Sequence, residues 1–136
     1  MPRIKTLTLN HKASNCIHTI IPKESDICKS FVMLVKQLQS AGYFEKPFAL
    51  IHIANENMNS KGYRWHLKAL GLMPGVFDYM ILFASGCAFI EFKRDNKCKL
   101  SPMQIKFSTL LDSLNIKWIV TSNIDIAITF LKKVIK

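Results

Sequence analysis

The chain has 136 residues, and 19 Lys and Arg against 9 Asp and Glu give it a formal net charge of +10 at pH 7. With 49% hydrophobic residues it is too apolar for disorder, which needs low hydrophobicity together with high net charge. The length suits one domain with a real core, and the positive excess favours a polyanionic partner, of which nucleic acid is the commonest.

Four cysteines, Cys16, Cys28, Cys87 and Cys98, form no C-x-x-C pair, so a zinc ribbon or thioredoxin-like motif is excluded. Arg3, Lys5, His11 and Lys12 would interrupt the apolar region of a signal peptide. The longest apolar stretch, residues 76–92, contains Asp78, Gly86 and Glu91 and is shorter than the roughly 20 residues of a membrane helix. These features predict a cytoplasmic protein with reduced thiols, neither membrane-spanning nor a secreted disulfide scaffold.

Residues 1–22 read as a loosely structured basic arm with a short strand over 16–21. The domain proper then starts at residue 23. Ile27, Phe31, Leu34, Val35 and Leu38 recur at helical spacing, and Gly42 is a sensible stop. Residues 48–53 (FALIHI) predict a strand, and 54–62 a polar loop. Residues 63–70 predict a helix ending at Gly71, followed by the turn Leu72-Met73-Pro74-Gly75. Residues 76–83 and 87–93 are apolar runs that read as a hairpin turning near Ser85-Gly86. Ser101-Pro102-Met103-Gln104 carries an N-cap, a proline at the first helical position and a capping-box Gln, so a helix should run to about residue 114. Residues 117–121 (KWIVT) predict a strand, and Ser122 or Asn123 caps a last helix with Ile124, Ile128, Leu131 and Ile135 as its apolar stripe. The fold class is therefore α/β, a mixed β-sheet flanked by helices.

Inside the hairpin, strand alternation puts Glu91 and Lys93 on one face. A turn on Ser85-Gly86 would set Asp78 opposite Lys93 and Met80 opposite Glu91, so that Asp78, Glu91 and Lys93 converge at one strand end. Hard carboxylate oxygens suit Mg²⁺, which activates water and neutralises charge on a scissile phosphate, with a lysine beside it to stabilise the transition state. The competing reading of a lone Glu-x-Lys is an ion pair on a solvated strand face.

Gly71-Leu72-Met73-Pro74-Gly75-Val76-Phe77-Asp78, then Phe89-Ile90-Glu91-Phe92-Lys93, then Ser101-Pro102-Met103-Gln104, resembles the VRR-NUC domain, a branch of the PD-(D/E)xK nuclease superfamily. The likeness covers roughly residues 23–131, and each motif alone is short. The resemblance implies a restriction-endonuclease-like core. It implies Asp78, Glu91 and the main-chain carbonyl of Phe92 as ligands of Mg²⁺, with Mn²⁺ as a substitute. Lys93 would be the catalytic lysine, Gln104 would complete the site, and Glu24 would be an additional acid. The family often has Gly-Val-Pro before its Asp; here the proline is missing. Gln104 also serves as the capping-box residue, Glu24 suits a helix N-terminus and competes with Asp26, and Arg64, Lys68 and Asn55 read either as DNA contacts or as a solvated face. His52, Trp65 and Trp118 read as core residues.

The function implied is a metal-dependent endodeoxyribonuclease acting on DNA, with branched DNA such as four-way junctions as one substrate class and homodimerisation as one option. The alternative is a non-catalytic nucleic-acid-binding module on the same fold.

Overall fold

The computed structural model describes residues 21–54 and 61–136. Residues 1–20, which hold most of the expected arm and its strand, lie outside them, as does the loop 55–60. Four helices and four strands follow one another as α1 (Glu24–Ser40), β1 (Phe48–His52), α2 (Lys61–Ala69), β2 (Tyr79–Phe83), β3 (Gly86–Phe92), α3 (Pro102–Ser113), β4 (Lys117–Thr121) and α4 (Ile124–Val134). The strands form one sheet in the order β1-β2-β3-β4. β1–β2 and β2–β3 are antiparallel, whereas β3–β4 is parallel, with α3 supplying the crossover that parallel strands require. The fold is thus α/β with a mixed sheet, the class expected. No helix among the described residues is long and apolar enough to cross a membrane.

Helices cover both faces of the sheet. On one face Ile27, Phe31 and Val35 of α1 and Ala127, Ile128 and Leu131 of α4 pack against Tyr79, Ile81, Ala88, Ile90 and Phe92. On the other, Phe107 and Leu111 of α3 pack against Phe77 and Phe89. Alternation along β3 explains the division: Ala88, Ile90 and Phe92 face α1 and α4, so Phe89 and Glu91 face α3.

The helix ends carry the expected chemistry. The Ser101 side chain accepts from the Gln104 amide and the Gln104 side chain reaches back to the Ser101 amide, a complete capping box. Of the two cap candidates before α4, Asn123 takes the position and accepts from the amides of Asp125 and Ile126. Gly42 follows α1 at φ 71°, and the Tyr43 amide bonds back to the Leu38 carbonyl. Helix α2 differs from the others in burying none of its residues. Trp65, expected in the core, is 74% exposed there. Trp118 is half-buried, with Nε1 donating to Asp112 at 2.8 Å.

Candidate active site

The hairpin register differs from the one expected. Phe83 pairs with Gly86, Leu82 with Cys87 and Tyr79 with Ile90, so Ala84 and Ser85 form the two-residue turn and Gly86 belongs to β3. Continuing that ladder by one pair sets Asp78 opposite Glu91, not opposite Lys93, and Met80 opposite Phe89, not opposite Glu91. The slip is an even one, so every side chain keeps its face. Asp78, Glu91 and Lys93 still meet at the end of the hairpin, with new neighbours.

Asp78 is held from both sides by aromatic anchors. Phe77 is fully buried and packs edge-on against Phe107 and Trp118, with ring centroids 5.3 and 5.6 Å apart. Tyr79 is buried against Phe31 and Phe92. Such pairs contribute about 0.5–1.5 kcal/mol each beyond their buried area. Phe77 therefore anchors the chain just before Asp78. Just upstream, Gly75 has φ 81°, and a methyl there would lie 2.7 Å from the Gln104 nitrogen and closer still to the Met103 carbonyl group. Only glycine lets the turn approach the first turn of α3 this closely.

The polar side chains then interlock. The Phe92 amide donates to Asp78 Oδ2 at 2.8 Å, and the Asp78 amide donates to Glu91 Oε2 at 3.2 Å. Lys93 Nζ donates to Glu91 Oε1 at 2.6 Å and to Gln104 Oε1 at 3.1 Å. Gln104 Nε2 donates to Glu91 Oε1, while Gln104 Oε1 also accepts the Ser101 amide at 2.9 Å. The two roles weighed for Gln104 are thus filled at once: it caps α3 and holds the Glu91–Lys93 pair. The Phe92 side chain is in the core. Within a strand, a residue's N–H and C=O leave on the same side, so the Phe92 carbonyl, like its amide, is on the β2 side.

Glu91 is only 1% exposed, which rules out an ion pair on a solvated strand face. Burial pushes the carboxyl groups of both Asp78 and Glu91 above their ordinary values. For Asp78 the Phe92 amide, Lys93 and His52 partly oppose this; for Glu91 the bond from Lys93 opposes it and the charge of Asp78 adds to it.

Glu24, in the first turn of α1, completes the cluster. One carboxylate oxygen from each of Glu24, Asp78 and Glu91 lies within 4.8 Å of the others. Asp26, its competitor, is exposed and outside the cluster. Three hard oxygen donors converging from two strand ends and a helix fit Mg²⁺ or Mn²⁺, which take carboxylates and retain open positions for water and phosphate. Among the described residues Asp78 Oδ1 has no hydrogen-bond donor, which leaves that oxygen available to a cation.

Arg64 and Lys68 are exposed on α2 and outside this network. Asn55 lies outside the described residues. His52 corrects a core assignment: it is exposed on edge strand β1, its ring 5.1 Å from that of Tyr79, with Nδ1 3.0 Å from the Asp78 carbonyl oxygen. The β1–β2 pairing of His52 with Tyr79 brings it there, and that pairing has no local signal in the sequence.

Compared with protein-family models, with curated proteins and with solved structures, the chain gives no match.

Proposed function

We propose that the chain is a Mg²⁺-dependent deoxyribonuclease whose site is Glu24, Asp78, Glu91, Lys93 and Gln104. One observation carries the reading: one oxygen from each of three carboxylates lies within 4.8 Å of the others at a partly buried strand end, where, among the described residues, Lys93 is the one cation paired with the cluster, through Glu91. A structural ion pair needs one acid. Asp78 adds a second, partly buried negative charge beside Glu91, which costs stability unless it neutralises or meets a cation, and a protein of charge +10 has no shortage of basic partners to offer.

Bound there, a divalent cation would lower the pKa of a water and neutralise charge on the scissile phosphate. The chain's own residues divide the remaining work. Glu24, Asp78 and Glu91 present oxygens to the cation, together with the Phe92 carbonyl. Lys93 stands 2.6 Å from Glu91, where its ammonium can orient the nucleophile and stabilise the phosphorane-like charge. Gln104 fixes both Glu91 and Lys93 on the rigid first turn of α3. Arg64 and Lys68, with Asn55, bind phosphates further along the DNA.

The test is incubation with supercoiled plasmid, linear duplex and a four-way junction, each with Mg²⁺, Mn²⁺ or EDTA. Cleavage is expected with either metal, is absent in EDTA, and is abolished in Asp78→Asn and Glu91→Gln. Cleavage that persists in EDTA contradicts the mechanism. Salt-dependent binding without cleavage of any substrate favours the non-catalytic module. A preference for the junction over linear duplex would narrow the substrate class.

A further inference from the structure

The acidic cluster does not stand in a closed pocket. It opens at Glu24 and Asp78 into a groove of about 1110 Å³ that runs along one flank of α1. One wall carries Lys29, Val32, Met33 and Lys36, and the other carries His52 and Ile53 at the edge of the sheet. Lys29, Val32 and Lys36 recur at i, i+3 and i+7, so they line a single helix flank beside the buried stripe of Ile27, Phe31 and Val35. Lys29 and Lys36 are exposed, and neither makes an ion pair among the described residues. Beyond Glu24 the groove lining has no acid except Asp78.

We propose that this groove is the track of one nucleic-acid strand leaving the site, with Lys29 and Lys36 binding its phosphates. The inference rests on the nuclease reading above and assigns the strand a direction across the surface. Charge sorts the groove: carboxylates suited to a cation lie at one end, and ammonium groups with no ion pair among the described residues follow along the helix. Seven residues of helix separate Lys29 from Lys36, about 10.5 Å, so the two ammonium groups can meet different phosphates of one strand. Between them Val32 and Met33 offer apolar surface to sugars and bases. A basic stripe beside an apolar floor is the arrangement that tracks a single strand without reading its sequence.

The experiment measures binding without chemistry. The full chain is titrated with a fluorescent single-stranded DNA oligonucleotide in EDTA over a series of salt concentrations. The double variant Lys29→Gln/Lys36→Gln should bind more weakly, and its slope of log affinity against log salt should fall by about 1.4, or about 0.7 per lost phosphate contact. Lys29→Arg/Lys36→Arg should restore both. Lys106→Gln/Lys117→Gln, which removes the same charge from exposed positions outside the groove, should change the slope less than half as much. Equal slopes for the two Gln variants overturn the groove. Cleavage in Mg²⁺ separates the two readings. A groove variant that binds and cuts as the unaltered chain does sinks the track and leaves the nuclease. A chain that never cuts but loses its salt slope in the groove variant keeps the binding track and removes the nuclease.

Discussion

Helix α2 and the strand end that follows it hold their charged residues in different ways. At the strand end the polar side chains are tied by hydrogen bonds: Asp78 to the Phe92 amide, Glu91 to Lys93, Gln104 and the Asp78 amide, and Gln104 to the cap of α3. On α2, Arg64 and Lys68 have no hydrogen bond or ion pair among the described residues, and Trp65 and Leu70 lie in the open at 74% and 71% exposure. Buried acids must be preset, because an unpaired charge out of water is costly. Surface cations stay hydrated and can be re-aimed by a ligand. The first arrangement suits a group that must meet the reacting atoms in one geometry; the second suits sequence-tolerant attraction.

Removing Lys93 is the strongest way to break this contrast. Lys93→Ala should lower the turnover of DNA by about 10²–10³-fold while leaving cation affinity measurable by titration calorimetry. A loss of cation binding with unchanged turnover per bound complex would instead make the lysine structural. Next in size, Gln104→Ala should lower turnover by about 10–100-fold, the usual cost of removing an outer partner of a ligand. Ser101→Ala removes only the cap and should cost about 1 kcal/mol of stability in denaturant titrations with little change in turnover. Equal turnover losses in the two would mean that Gln104 acts through the helix alone. On α2, Arg64→Ala and Lys68→Ala should leave turnover at saturating DNA unchanged. Each should reduce the salt slope of binding by about 1 and alter stability by no more than about 0.5 kcal/mol.

The smallest effect is on stability against pH. Asp78 and Glu91 carry folded-state pKa values above their ordinary ones, so the folded chain binds more protons than the unfolded chain. Stability of the metal-free protein should therefore fall as pH rises from about 4, the unfolded carboxylate range, through the raised folded values, and level off above them. Mg²⁺ at neutral pH should raise the melting temperature by binding the folded form. Asp78→Asn/Glu91→Gln should flatten both dependences in thermal melts.

Much of the fold was legible because its signals are local. KWIVT is β4, the Ser101–Gln104 box opens α3, and the Ile27–Phe31–Val35 stripe sets α1. The even slip in the hairpin arose because Ser85-Gly86 is the better turn dipeptide, whereas the ladder runs on to Gly86. Face was legible from alternation and survived the slip; neighbours were not. Glu24 could be told from Asp26 by phase, since it precedes Ile27 by three residues and Phe31 by seven, on the buried side of the helix. His52 and Trp65 could not be placed. One depends on the pairing of β1 with β2, and the other on α2 burying none of its residues, and neither leaves a local mark.

The most direct measurement is the position of a divalent cation in crystals of the full chain soaked in Mn²⁺, located by its anomalous scattering. The proposed site predicts a peak among Glu24, Asp78 and Glu91, in coordination contact with their carboxylate oxygens, and its loss in Asp78→Asn. Crystals saturated with Mn²⁺ that show no peak there, with Lys93 still bonded to Glu91, would contradict it.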